Sequence, residues 1–234
     1  TPKLAAQNQA CILPFVPARD HKRLNDGAKG PNTGGMGAVA PLSDVTPEQM
    51  AMFKKDILEP TLKGLAAENY DYRGFIFFGL MLCKDSVKLL EYNVRLGDPE
   101  TQAVLPLMDF DFAELCGAII DKDESGALKA FEPKMQWKKG FQCAPVAVSG
   151  GYPGSYKKGF EISLKGNGNL GKNTKVFIAG AVEQNKKSAN LVTSGGRVLA
   201  VSAFGATFEE AFSNAYAGMK DVGFNGIFYR KEIG

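Results

Sequence analysis

Apolar and polar residues alternate along this chain in several distinct textures. The first apolar run, Cys11-Ile12-Leu13-Pro14-Phe15-Val16, follows a polar stretch and reads as a short strand. It leads through DHKR, Asp20 to Arg23, into a glycine-rich segment, GPNTGGMGA from Gly30 to Ala38, which reads as a loop. Thr46 with Gln49 has the capping-box spacing, Pro47 suits a first helical position, and Met50, Phe53, Ile57 and Leu58 keep the helical period. A helix is therefore predicted from Pro47, to be kinked or ended by Pro60. GFIFFGLMLC, Gly74 to Cys83, carries no charge and predicts a strand buried on both faces, with Lys84-Asp85-Ser86 turning the chain into a partner strand, Val87 to Asn93. Asp98 as cap and Pro99 as opener predict a helix through Val104, and a second amphipathic helix is expected over Phe110 to Ile120.

From Gln142 the texture changes to short apolar runs punctuated by glycine: CAPVAVS, GFEISL, KVFIAGAV, ANLVTS and RVLAVSAF. GGYPG at 150 to 154 reads as a turn and Gly195-Gly196 as a hairpin connection. Thr207 and Glu210 form a second capping box, opening a helix to about Lys220. Patterning lapses near Phe131 to Trp137, so the expected domains are 1–130 and 131–234, the second mostly β. The fold class is α+β.

Composition narrows the classes of function. The 234 residues carry 28 basic and 25 acidic side chains, a formal net charge of +3, with no run of five like charges, so no basic stripe points to nucleic acid. No apolar run reaches the roughly 20 residues that span a bilayer, so no membrane partner is expected. Four scattered cysteines without a Cys-x-x-Cys pair fit a reducing compartment, and the expected location is cytoplasmic.

The chemistry concentrates in Leu89-Leu90-Glu91-Tyr92-Asn93-Val94-Arg95. Strand alternation puts residues 91 and 93 on one face, roughly 7 Å apart, and a carboxylate beside an amide carbonyl is a hard oxygen pair suited to Mg²⁺. The competing reading is a solvated sheet face; a charge-free strand before and the polar run NVRLGDPET after favour the metal. Arg95 shares their parity if the strand continues, and would set a planar cation beside a phosphoryl group or carboxylate. The glycine-rich segment, with Asn32 and Thr33, has a composition that lets backbone N–H groups approach a phosphate, and it is expected to order around one. Lys22 and Arg23 are further candidates for phosphate contact, whereas His21, the only histidine, reads as an orienting or salt-bridged group.

DHKR followed by GPNTGGMGAVAP, then LLEYNVRLGDPETQAVLPL, GGYPGSYKKGFEI and GGRVLAV, closely resemble the phosphoribosylamine-glycine ligases of the ATP-grasp group, in the same order, from about Ile12 onward. The resemblance implies an ATP-grasp catalytic subdomain followed by a small β-rich carboxy-terminal domain, without the family's amino-terminal and lid domains. It implies ATP and Mg²⁺ or Mn²⁺ as cofactors, glycine and 5-phosphoribosylamine as substrates, and reaction through glycyl phosphate to glycinamide ribonucleotide, ADP and phosphate in purine synthesis. The upstream half of the same enzyme is an implied partner, and a chain lacking it is expected to be inactive alone. By the same resemblance Glu91 and Asn93 are the metal ligands and Arg95 is catalytic, while Asp20, Lys22, Asn32, Thr33, Gly34, Gly35, Asp98 and Glu100 meet substrate or phosphate. Ala28 and Leu96 depart from the family's usual acidic residue and phenylalanine. The alternatives are another ATP-grasp ligase or carboxylase, and a non-catalytic fragment.

Overall fold

The computed structural model describes residues 10–121, 126–168, 170–171, 173–185 and 188–234. In chain order its strands are β1 (Arg19–Asp20), β2 (Arg23–Asn25), β3 (Lys29–Asn32), β4 (Gly37–Ala40), β5 (Phe77–Leu82), β6 (Val87–Asn93), β7 (Phe141–Val148), β8 (Ser163–Leu164), β9 (Thr174–Ile178), β10 (Ala181–Asn185), β11 (Ser188–Thr193), β12 (Arg197–Gly205) and β13 (Val222–Gly223). The helices are α1 (Pro47–Phe53), α2 (Glu59–Ala67), α3 (Thr101–Val104), α4 (Phe112–Ile120), α5 (Ala127–Phe131) and α6 (Phe208–Met219).

The chain forms two compact units that interleave along the sequence. One comprises Ser43–Gly97, Met108–Lys138 and the described residues up to Phe15; the other comprises Val16–Leu42, Asp98–Leu107 and Lys139–Gly234. This partition by contact differs from the consecutive stretches 1–130 and 131–234, because the segments at 16–42 and 98–107 pack with the carboxy-terminal strands.

In the first unit, β5 and β6 form an antiparallel pair whose Phe78, Leu80, Leu82, Val87 and Leu89 pack against Phe53, Ile57 and Leu58. The capping box forms as the spacing predicts: Gln49 N–H donates to Thr46 Oγ1 and Thr46 N–H to Gln49 Oε1. Pro60 does not end the helix. A π-helical turn, Lys54–Leu58, joins α1 to α2, and Pro60 falls in the first turn of α2, where its missing N–H costs least. Cys11 to Val16 is not a strand, since Pro14 and Pro17 cannot donate to a ladder. Phe15 instead packs edge-on to Trp137, with ring centroids 5.3 Å apart, and against Phe75. β5 is buried on one face only: Met81 is 51% exposed, so the charge-free run is half-buried in this chain.

The second unit is built on a five-stranded antiparallel sheet in the order β1-β4-β7-β12-β9. β7 and β12 are buried along almost their whole length, and α6 covers the sheet with Ala211, Ala215 and Met219. Thr207 Oγ1 accepts from Glu210 N–H, while Glu210 reaches back to Ala206 N–H, one residue before the cap. The glycine-rich segment is not one loop. β2 and β3 form an exposed hairpin, Gly37–Ala40 is a buried strand of the sheet, and only residues 33–36 are loop. Gly195-Gly196 does not close a hairpin either, because β11 pairs with β10 and β12 with β7 and β9. The glycines carry the chain past Gly180, whose carbonyl accepts from Ser194 and Gly195 N–H.

Candidate functional site

The metal-ligand candidates stand at the far end of β6, and a β-bulge decides which way they face. Pairing runs Leu82 with Val87 and Leu80 with Leu89, then Gly79 with Glu91, Phe78 with Tyr92 and Phe77 with Asn93, so Leu90 is the extra residue. Under unbroken alternation Glu91 and Asn93 would share the face of Val87 and Leu89, which pack into the core. The bulge re-aims them. Tyr92 takes the core side, edge-on to Phe78 with its hydroxyl 2.6 Å from Thr61 Oγ1, and Glu91 and Asn93 take the other face. Leu90 is left 62% exposed.

Glycine at position 79 makes room for Glu91. A Cβ there would stand 2.8 Å from Glu91 Cγ, so any side chain at 79 displaces the carboxylate. Arg95 meets Asn93, though not by strand parity, because β6 ends at Asn93. Its Nη1 donates to Leu96 O at 2.9 Å and its Nη2 to Asn93 Oδ1 at 3.3 Å, which orients the amide. Among the described residues no cluster of three or more His, Cys, Asp or Glu side chains is placed to hold a metal. Two hard oxygen donors, an exposed carboxylate and a half-buried amide, fit an ion that keeps most of its sites for water and phosphate oxygens.

The other candidates gather in the second unit. Asp20 lies on β1 with its side chain 6% exposed, 2.5 Å from Lys22 Nζ. Gly35 presses on it: a Cβ at that glycine would stand 2.6 Å from Asp20 Oδ1 and closer still to the Pro99 ring. Glu100 is 7% exposed. Burial holds both carboxyls above the usual carboxylate range, and for Glu100 the nearby negative charge of Asp20 adds to it; Lys22 opposes the shift at each.

Asp98 does not cap a helix. Its carboxylate takes Arg197 Nη2 at 3.0 Å on one oxygen and Gln102 Nε2 at 3.0 Å on the other, and α3 starts at Thr101. Residues 33–36 already satisfy their backbone donors: Thr33 N–H bonds to Lys22 O at 2.7 Å, Gly34 to Tyr152 Oη at 2.8 Å, Gly35 to Thr33 Oγ1 at 3.0 Å and Met36 to His21 O at 2.9 Å. The segment is therefore a shaped wall rather than a nest of free amides. Asn32 is exposed, and Lys22 has about half its side chain in solvent while its ammonium pairs with Asp20. Arg23 is engaged within its hairpin, donating to Gly30 O at 2.8 Å. His21 is held neutral: burial, then Arg230, lower its pKa to about 4, and Nε2 accepts from Gly234 N–H.

Sequence reasoning passed over Arg197 and Tyr152. Both lie in family motifs, GGRVLAV and GGYPG, to which only turn roles were given; the available signal was a cation and a phenol set close to paired glycines.

The chain matches the ATP-grasp (A) domain of phosphoribosylglycinamide synthetase over residues 4–101, so the likeness begins upstream of Ile12, and the C domain of the same synthetase over 142–234. It is 48% identical to a phosphoribosylamine-glycine ligase of Clostridium acetobutylicum, across 99% of this chain and 52% of that protein. It is 46% identical to a bifunctional purine biosynthetic protein of Schizosaccharomyces pombe, across 93% of this chain and 26% of that one. Among solved structures, phosphoribosylamine-glycine ligase from Thermotoga maritima matches with a TM-score of 0.72 and 36% identity, covering 94% of this chain and 51% of that chain. The biotin carboxylase subunit of a pyruvate carboxylase, at 14% identity and a TM-score of 0.56, shares the fold alone. The chain spans about half the length of the curated ligases it matches. With one synthetase's ATP-grasp and C domains matched in order, the chain belongs to the phosphoribosylglycinamide synthetase family.

Proposed function

We propose that this chain is part of an ATP-dependent ligase that joins glycine to 5-phosphoribosylamine through glycyl phosphate, releasing glycinamide ribonucleotide, ADP and phosphate. The observation that carries this reading is the bulge at Leu90, which turns Glu91 and Asn93 to one face of β6, with Gly79 opposite Glu91 leaving its side chain room. Such a pair would hold Mg²⁺ or Mn²⁺, and the bound ion would offset charge on nucleotide phosphates.

Arg95 orients the Asn93 amide and presents the rest of its guanidinium to anionic oxygen. In the unit that carries the glycine-rich turn, exposed Asn32 would meet a phosphate beside the wall formed by residues 33–36, and Lys22, paired with Asp20, would add positive charge there. Asp20 and Glu100 would receive an amine. Their raised proton affinity suits a carboxyl that takes up the proton an attacking amine must lose. The expected location is cytoplasmic, and no described helix is long and apolar enough to cross a membrane.

The test is isotopic. The complete polypeptide is supplied with labelled glycine, phosphoribosylamine and magnesium-ATP, and in parallel with labelled bicarbonate. Label from glycine in a ribonucleotide, with stoichiometric ADP, is expected; label from bicarbonate alone would replace this reading with a carboxylase.

A further inference from the structure

Gly34 is gripped from both sides. Its N–H donates to Tyr152 Oη at 2.8 Å, and its carbonyl accepts from Arg197 Nη1 at 2.8 Å. The same Nη1 donates to the Asp98 carbonyl at 2.8 Å, and Nη2 meets Asp98 Oδ2 at 3.0 Å. One planar guanidinium thus ties the start of β12, the glycine-rich turn and the Asp98 turn together. Space is tight around the grip: a Cβ on Gly34 would stand 3.1 Å from Tyr152 Oη and 3.2 Å from Arg197 Cζ, and one on Gly196 would collide with the Tyr152 ring.

The frame is rooted in the sheet. Asp98 Oδ1 takes Gln102 Nε2, the Gln102 carbonyl accepts from Ser202 Oγ at 2.6 Å, and Ser202 accepts from Gln142 Nε2 at 2.7 Å. Ser202 and Gln142 are buried on β12 and β7, neighbouring interior strands of the sheet. Each carboxylate oxygen of Asp98 therefore has a donor that is itself fixed.

We infer that Arg197 is a positioning residue which, with Tyr152, holds Gly34 and Asp98 in their substrate-binding arrangement before substrate arrives. The ligand at this place is the phosphoribosylamine of the proposed reaction, and to that extent the inference rests on that reading. The turn is built in advance and is not folded by its ligand, because its donors and its central carbonyl are all engaged within the protein. Lysine cannot replace Arg197, since a single ammonium on a flexible stem does not span two carbonyls and a carboxylate in one plane.

The experiment has two arms. In the first, amide hydrogen exchange across residues 31–37 is measured on the chain without ligand for wild type, R197A, R197K and Y152F. Arg197→Lys and Arg197→Ala are expected to speed exchange of the Gly34 and Gly35 amides by about tenfold or more, with α6 unchanged, and Tyr152→Phe to speed Gly34 alone. Wild-type rates in R197K overturn the inference, including in the case that R197A fails to fold. In the second arm, R197K in the complete ligase is expected to raise the KM for phosphoribosylamine about tenfold while the KM for ATP stays at the wild-type value. Equal rises in both would reduce Arg197 to general support and also overturn it. Absence of glycine ligation in wild type as well would sink the proposed function, and the exchange arm alone would then decide the role of Arg197.

Discussion

At the scale of single residues, the least comfortable position is Ala28. It follows Gly27 in the β2–β3 turn, and the two adopt left-handed backbone, φ 69° and 53°. A left-handed conformation costs an alanine about 1–2 kcal/mol that asparagine or glycine largely avoids. Ala28→Asn is therefore expected to stabilise the chain by about 0.5–1 kcal/mol, read as a higher urea midpoint with an unchanged slope. Among charged residues, His21 sets an acid limit. Its folded pKa of about 4 lies below the ordinary 6.5, so the unfolded chain binds its proton more readily. The stability this contributes is complete above pH 6.5 and is lost as pH falls towards 4. His21→Gln should flatten that acid limb in thermal unfolding, and an unaltered limb would remove His21 from the account. Asp20 and Glu100 act in the opposite sense: with raised folded pKa values they favour the folded chain most at acid pH and lose that contribution as pH rises through those values. Glu100→Gln, which removes a buried charge, should thus raise the unfolding midpoint most at pH values above the raised pKa of Glu100 and least at acid pH.

At the scale of elements, β6 shows how one extra residue sets which way two side chains face. Val87 and Leu89 anchor the strand in the core, and only the bulge at Leu90 frees Glu91 and Asn93 from the same face. Gly79→Ala leaves the ladder intact, since alanine adopts strand geometry, but its Cβ pushes on Glu91 Cγ. It should weaken Mn²⁺ binding about tenfold, with the unfolding midpoint nearly unchanged. Glu91→Gln keeps volume and removes charge, so turnover of the complete enzyme is expected to fall at least about tenfold at limiting magnesium with the fold intact. Wild-type activity under those conditions would sink the metal assignment. Tyr92 offers the contrast: it lies between the two candidates in sequence and turns to the opposite face, half-exposed, where its ring meets Phe78 and its hydroxyl meets Thr61.

At the scale of the whole molecule, the chain represents about half of its ligase relatives, and bringing ATP to the reacting groups accounts for roughly 7–11 kcal/mol of a barrier. On the proposed function, the chain alone is accordingly expected to release no ADP above background from glycine, phosphoribosylamine and magnesium-ATP, and the complete polypeptide to release it; full activity from the chain alone would refute this expectation. Much of the molecule was legible in order. The Thr46 capping box, the Thr207 cap, the β5–β6 pair, α4 and the β-rich texture after Gln142 depend on residues close in sequence, and these interactions form wherever such residues meet. The family's motifs could be read from the sequence for the same reason, being contiguous runs of residues. Other features needed the fold. The direction in which Glu91 points depends on a register shift against β5, and the state of the glycine-rich turn depends on Tyr152 and Arg197, more than a hundred residues away. Composition and spacing along the chain determine which groups are present and which local turns they make; which donors stay free, which carboxyls are buried and which face a ligand takes are set by partners distant in sequence, and only the tertiary structure decided them.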